Sequence, residues 1–178
     1  VWASKWNDRA FVSLRNVGID HDDLRMSVLV QPVVDADYAF VIHTVNPSSK
    51  DQTELYAEVV MGLGEALVGN YPGRALSFSV EKTSGETPRI LGFPSKSVML
   101  KIPRQTLIFR SDSNGEDLEG YAGAGLYESV PMDEEETIHA DYATDPLVWD
   151  EGFRTELLSK IAEAGVAIEA ALDGQPQD

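Results

Sequence analysis

Arg110 is followed at once by Ser111-Asp112-Ser113-Asn114-Gly115-Glu116-Asp117, and glycines stand again at Gly120, Gly123 and Gly125. A guanidinium offers a planar fork of donors matched to phosphate oxygens. Glycines let backbone N–H groups approach an anion with no Cβ in the way. A strand that ends at Arg110 would aim this fork from a firm support. The same residues also suit a plain Gly-rich hairpin in which Arg110 pairs with Glu116 or Asp117. A second stretch, Glu54-Leu55-Tyr56-Ala57-Glu58-Val59-Val60, alternates so that Tyr56, Glu58 and Val60 share one strand face. A carboxylate on a buried face must be paired or hydrogen-bonded, so Glu58 is either a structural ion-pair partner or a site residue. Glu65, after Gly62-Leu63-Gly64, is either a first-turn acid of a helix or a site residue. A third stretch is the apolar run Val28-Leu29-Val30-Gln31-Pro32-Val33-Val34. Pro32 lacks an N–H and fits a strand edge or the end of pairing, where unpaired backbone groups could face a flat ring such as adenine.

Composition narrows the partners. The 178 residues carry 14 Lys and Arg against 30 Asp and Glu, a formal net charge of −16. Nucleic acid is bound by neutralising its backbone with basic residues, so no nucleic-acid partner is expected. A small anion is still accessible, because one or two placed cations with magnesium can hold a triphosphate in a negative global field. Cysteine is absent, which removes disulfides, thiolate chemistry and Cys-based zinc sites. The three histidines, His21, His43 and His139, stand in no metal-ligand spacing and read as structural or solvated. No apolar run approaches the roughly 18 residues of a membrane span, so no membrane partner is expected, and no targeting segment is recognisable.

The elements that must position these residues read as α+β. Residues 1–16 form one helix with Trp2, Trp6, Ala10 and Leu14 on a single stripe, starting without a cap as though cut from something longer. Trp2, Trp6 and Trp149 could stack on sugar rings, but core packing is the expectation. Strand patterns over 26–34 and 38–45 are joined by Asp35-Ala36-Asp37, a hairpin-length connection. Strands follow at 54–60 and 75–80, with a short helical stretch from Glu65 between them, closed by Tyr71-Pro72-Gly73-Arg74. Residues 81–96 read as an irregular excursion. Strands at 97–102 and 106–110 lead to the Gly-rich loop 111–125, and Met132-Asp133-Glu134-Glu135-Glu136 reads as a solvated turn. The last helix has Asp150 as N-cap. Its predicted apolar face is Phe153, Leu157, Ile161, Ala164, Ile168 and Leu172, with Gly174 past its stop.

Four motifs together resemble the nucleotide-binding region shared by pyruvate phosphate dikinase, phosphoenolpyruvate synthase and the α-glucan, water dikinases. They are Val30-Gln31-Pro32-Val33, Ile42-His43-Thr44-Val45-Asn46-Pro47, Gly62-Leu63-Gly64-Glu65, and Arg110-Ser111 through Glu116-Asp117. The glucan-dikinase branch is favoured by Arg110 through Asp117, by Tyr121-Ala122-Gly123-Ala124-Gly125, by Val1-Trp2-Ala3-Ser4 and by Tyr71 through Phe78. The resemblance implies an ATP-grasp fold in which two lobes close on Mg-ATP, with 1–178 as part of that domain. It also implies transfer of the β-phosphate of ATP to a histidine on another domain and then to a starch glucan, releasing AMP and orthophosphate.

Residue by residue, the resemblance implies that Arg110, with Ser111 beside it, contacts the phosphates and is the catalytic residue. The backbone of Gly123, Ala124 and Gly125 would cover the triphosphate, and Gln31 and Val33 would meet adenine through backbone groups. Glu58 and Glu65 are further ATP-site candidates, and Asp178 resembles the Asp of the family's "Q-D-I-E" motif near the metal. Location in the plastid stroma is implied too. Two departures are visible. The "R-S" loop follows the "V-Q" strand here, whereas it precedes it in pyruvate phosphate dikinase and phosphoenolpyruvate synthase. The family's metal-binding Glu, its "Q-x-R-P", its phosphate-binding Lys and its phospho-accepting His are not found, so the expectation is a fragment inactive by itself. A non-catalytic nucleotide- or glucan-binding module, or a fragment of a pyruvate-type dikinase, is the alternative reading.

Overall fold

The computed structural model describes residues 1–64, 67, 75–83, 86–103, 106–118, 121–122 and 125–177. The candidates Glu65, Gly123, Ala124 and Asp178, and the turn 71–74, lie outside the described residues. The chain divides into two compact units, one built from Val1–Val34 and Pro103–Glu136, the other from Asp35–Ile102 and Thr137–Asp178.

The first unit opens with a 3₁₀ turn, Trp2–Trp6, and then an α-helix, α1 (Asp8–Asn16). The single helix expected over 1–16 is therefore broken at Asn7. That residue is extended (φ −66°, ψ 150°), and its side chain accepts a hydrogen bond from the Ala10 amide at 2.7 Å. It is the N-cap that was not recognised in the sequence. A 3₁₀ turn advances about 120° per residue rather than 100°, so Trp2 and Trp6 leave the stripe of Ala10 and Leu14. Both tryptophans are exposed, at 67% and 60%, while Ala10 and Leu14 are fully buried. Ala10, Leu14, Leu24, Leu126 and Tyr127, with Ile19 and Met26 against them, form this unit's apolar core. Strands β1 (Met26–Pro32), β7 (Leu107–Ser113) and β10 (Val130–Pro131) make an antiparallel sheet in the order β1-β7-β10. β1 does not form the expected hairpin with the next strand. Its partner lies some eighty residues on, with Leu29 opposite Arg110 and Gln31 opposite Ile108. Within the segment read as a Gly-rich loop, β7 continues to Ser113, and β8 (Asp117–Leu118) pairs with β9 (Tyr121–Ala122).

The second unit is a four-stranded antiparallel sheet in the order β2-β3-β4-β5, from β2 (Tyr38–His43), β3 (Glu54–Met61), β4 (Leu76–Glu81) and β5 (Arg89–Gly92). β5 falls inside the expected excursion 81–96, and its Arg89, Ile90 and Gly92 pair with β4 across a register shift at Ser77/Phe78. β6 (Ser97–Pro103) pairs with β11 (Glu135–Asp141), which starts in the acidic run read as a turn. Two helices follow, α2 (Pro146–Trp149) and α3 (Glu151–Ala171). Asp145 caps α2 through the Leu147 amide at 2.8 Å, and Asp150 caps α3 through the Phe153 amide at 2.9 Å, as expected for Asp150.

The core of this unit joins Leu55, Ala57 and Val59 of β3 to Leu76, Phe78 and Val80 of β4, with Leu158 and Ile161 of α3. The buried face of α3 is Leu158, Ile161, Ala162 and Gly165, while Ile168 and Leu172 are about half exposed. The predicted stripe is thus correct at Ile161 and in part at Leu157, which packs against the same core, but it turns away from the sheet at Ile168 and Leu172. The cause is Gly165: a Cβ there would stand 2.8 Å from Leu55 Cδ1 and 3.0 Å from Ile42 Cγ2, so the helix approaches the sheet along a side that apolar counting cannot see. Trp149 is also exposed, at 72%, so none of the three tryptophans packs in a core.

Candidate functional site

Strand alternation sorts the first unit's candidates. Leu29, Gln31, Ile108, Arg110 and Asp112 share one face of the sheet, because directly opposed residues point the same way. Val28, Val30, Phe109 and Ser111 share the other. Arg110 is exposed, and no hydrogen bond or ion pair holds its guanidinium among the described residues. The hairpin pairing of Arg110 with an acid of its own loop is therefore not seen there. Gln31 lies on the same face, one diagonal step from Arg110, so the fold brings these two together. Ser111 points to the opposite face and does not stand beside the guanidinium.

The backbone of Gln31 and Val33 is directed differently from the expectation. The Val33 amide donates to the Thr106 carbonyl at 2.8 Å, so Val33 and, by alternation, Gln31 turn their backbone groups toward β7. The groups left on the open edge of β1 belong to Val28, Val30 and the Pro32 carbonyl. What Gln31 presents beside Arg110 is its side-chain amide.

Part of the loop after Arg110 has structural work. Asn114 Oδ1 accepts from the Arg25 amide at 2.8 Å, and Asn114 Nδ2 donates to the Asp23 carbonyl at 3.2 Å. Gly115 is buried so tightly that a Cβ would lie 2.6 Å from Leu24 Cδ1. Gly125 is left-handed (φ +75°), and its carbonyl accepts from the Arg9 guanidinium, while Asn7 Nδ2 donates to the Leu126 carbonyl at 3.1 Å. The loop is thus pinned at both ends to the core beneath it.

In the second unit the sheet face away from α3 is polar. The Tyr56 hydroxyl donates to Glu58 Oε1 at 2.7 Å, and Glu58 is half-buried with no cation paired to it among the described residues. Burial, with the Glu58 carboxylate next in effect, pushes the Tyr56 phenol up to about 12. Glu54, two residues before Tyr56, accepts from Asn46 Nδ2 at 2.7 Å and from Arg89 at 3.2 Å. The Ser79 hydroxyl foremost, then Asn46 and Arg89, hold the Glu54 carboxyl below its usual range against the opposing effect of burial. His43 lies across from Tyr56, ring centroids 6.1 Å apart. Sequence reasoning singled out Glu58 on this face but missed Glu54, Ser79 and Arg89. The alternation of β4, Leu76-Ser77-Phe78-Ser79-Val80-Glu81, was the signal available for Ser79. Among the described residues no three acidic or imidazole side chains converge where a metal ion could be held, and no helix is long and apolar enough to cross a membrane.

Known proteins extend this picture. Residues 1–85 match the model of the family described as "Pyruvate phosphate dikinase, AMP/ATP-binding domain". Over its whole length the chain is similar to a segment of plant glucan dikinases. It is 65% identical over all 178 residues to "Alpha-glucan water dikinase, chloroplastic" of Solanum tuberosum and 64% identical to "Alpha-glucan water dikinase 1, chloroplastic" of Arabidopsis thaliana. The chain spans only 12% and 13% of those two proteins. A shorter match, 36% identity over 67 residues, covers 38% of this chain and 8% of "Phosphoenolpyruvate synthase" of Pyrococcus furiosus.

Proposed function

We propose that this chain supplies an ATP-grasp-like part of the Mg-ATP-binding surface of an α-glucan water dikinase in the plastid stroma. In that reaction the β-phosphate of ATP passes through a phosphohistidine on another domain to a hydroxyl of a starch-type glucan. The γ-phosphate leaves as orthophosphate, and AMP is the nucleotide product. The glucan itself is met by other domains of the parent enzyme. The observation that carries the reading is the guanidinium of Arg110, unpaired among the described residues and held on a sheet face beside Gln31, in a chain alike throughout its length to named glucan dikinases.

On this reading Arg110 binds phosphate oxygens and holds the charge that moves between them as the β-phosphate is transferred. The strand fixes its backbone before ATP arrives, and the exposed side chain loses its rotamer freedom on binding. Gln31 contributes its side-chain amide on the same face. Ser111 takes no part as a side-chain neighbour of Arg110. Gly125 contributes through its backbone, next to Gly123 and Ala124. Glu58 and Glu65 are retained as acidic residues of the ATP site, and Asp178 as the metal-side carboxylate. The described residues alone do not form a magnesium site, so magnesium enters only as the counter-ion that ATP carries, and no step is derived through it.

The test is a transplant. This chain, exchanged for its counterpart in the full-length Solanum tuberosum dikinase, should support self-phosphorylation from β-labelled ATP and transfer of that label to starch. A folded chimera that binds starch but takes no label from ATP would overturn the reading in favour of a non-catalytic module.

A further inference from the structure

β2 is an end strand of its sheet, and one of its edges is already engaged at a single point. The Thr44 amide donates to the Gln177 carbonyl at 2.8 Å, and the Gln177 amide donates to Thr44 Oγ1 at 2.7 Å. Thr44 is 1% exposed, so this contact is part of the unit's interior. The Thr44 amide points away from β3, and alternation turns the backbone groups of Ile42 and Phe40 the same way. The odd-numbered residues Ala39, Val41 and His43 face β3 instead, in line with the Asp37 carbonyl that accepts from Gly62 at 2.8 Å. Ile42 and Phe40 thus carry unpaired amides and carbonyls along an open edge among the described residues.

Beside that edge lies a groove of about 330 Å³ lined by Phe40, Ile42, Thr44, Gly165, Ile168 and Gln177. Phe40 is 46% exposed and Ile168 50%. An open edge flanked by an apolar trough is a template for one more strand. The direction of such a strand follows from α3, which runs alongside β2. Phe153, near its start, packs on Tyr38 with centroids 5.9 Å apart, and Gly165 sits against Ile42. The chain then turns after Ala171 and arrives at Thr44, the far end of β2. From Gln177 only the antiparallel direction leads back along the strand and through the groove.

We propose that the open edge of β2 receives one further antiparallel strand, formed by the stretch that follows the position of Gln177 in the longer dikinases. The Thr44–Gln177 pair is its first rung and fixes the register. The second and fourth positions past Gln177 stand opposite Ile42 and Phe40, with their side chains on the α3 side over the trough, where apolar groups fit. This inference concerns how the unit is completed and does not depend on the ATP reading.

Hydrogen exchange tests it. In the 178-residue chain the amides of Phe40 and Ile42 should exchange as open-edge groups, while those of Ala39, Val41 and His43 are protected by β3. In the full-length Solanum tuberosum dikinase carrying this chain as a transplant, Phe40 and Ile42 should slow by about tenfold or more. Phe40→Pro removes an outward N–H and also fixes the backbone at that position, a cost common to both proteins. The drop in melting temperature from Phe40→Ala to Phe40→Pro should therefore be larger in the transplant than in the 178-residue chain. Equal exchange of Phe40 and Ile42 in both proteins, with the odd-numbered amides protected in each, would overturn the proposal. Slowing in the short chain that grows with its concentration would also overturn it, since the occupant would then be a second copy.

Discussion

Arg110 is the central residue of β7, which runs on to Ser113, and its guanidinium is unengaged among the described residues. A charge-assisted hydrogen bond contributes about 1.5–3 kcal/mol, so Arg110→Ala in a full-length dikinase carrying this chain should reduce self-phosphorylation from β-labelled ATP by about tenfold or more. Arg110→Lys should restore only part of this, because a point ammonium cannot make two parallel bonds. Starch binding should not change, and self-phosphorylation of Arg110→Ala at the parental rate would remove Arg110 from the site. Tyr56 and Glu58 give a second residue-scale prediction, this time in pH. The folded phenol is raised from 10.0 to about 12, so the stability it contributes is whole below pH 10 and is lost as pH rises toward 12. Tyr38 is raised as well, by burial and by its bond to Asp145, and acts in the same direction. Urea midpoints followed through this alkaline range should fall less steeply for Tyr56→Phe than for the parent, and parallel curves would contradict the assignment. Glu58→Gln keeps an acceptor for the Tyr56 hydroxyl. It should therefore leave stability nearly unchanged, and any loss of ATP-dependent labelling then reports a role in the site.

At the scale of elements, the packing of α3 is the most exposed to test. Leu158 is 1% exposed and Leu172 is 48% exposed, although Leu172, not Leu158, lies on the stripe read from apolar spacing. Leu158→Ala should cost about 2–5 kcal/mol, whereas Leu172→Ala should stay within about 0.5 kcal/mol. Thermal or urea unfolding of the two variants decides which face is buried, and equal losses would contradict the packing described here. The Asp150 cap was legible because a side-chain acceptor three residues before its amide donor is a local arrangement. The Asn7 cap was hidden by two tryptophans that continued a helical spacing in letters but not in space. The β1–β2 hairpin was misjudged for a related reason. A three-residue connection permits a hairpin, but nothing local weighs it against a partner strand far along the chain.

The whole chain combines a net charge of −16 with three histidines, none of which is held in an oriented hydrogen bond among the described residues. His21 is enclosed by Trp6 and Phe11, with ring centroids at 4.0 and 5.2 Å. His43 lies against Tyr56, and His139 is exposed with no oriented hydrogen bond among the described residues. The 178-residue chain incubated with β-labelled ATP should therefore retain no acid-labile label. Label recovered on any of the three histidines would show that the phosphate acceptor lies within this chain rather than on another domain.

What the sequence by itself determined was local or cumulative. The helix start at Asp150, the strand positions of β2, β3 and β4, the α+β class and the motif set that leads to the dikinases all reside in neighbouring residues or in their sum. Tertiary structure alone decided what depends on which surfaces meet. Pairing of β1 with β7 placed Gln31 and Arg110 on one face and sent Ser111 to the other. The close approach at Gly165 turned α3 onto Leu158, and the Arg89–Glu54–Ser79 cluster came from three separate strands. These outcomes are set by side-chain volume and hydrogen bonding between segments far apart in the chain, for which adjacent residues carry no periodic signal.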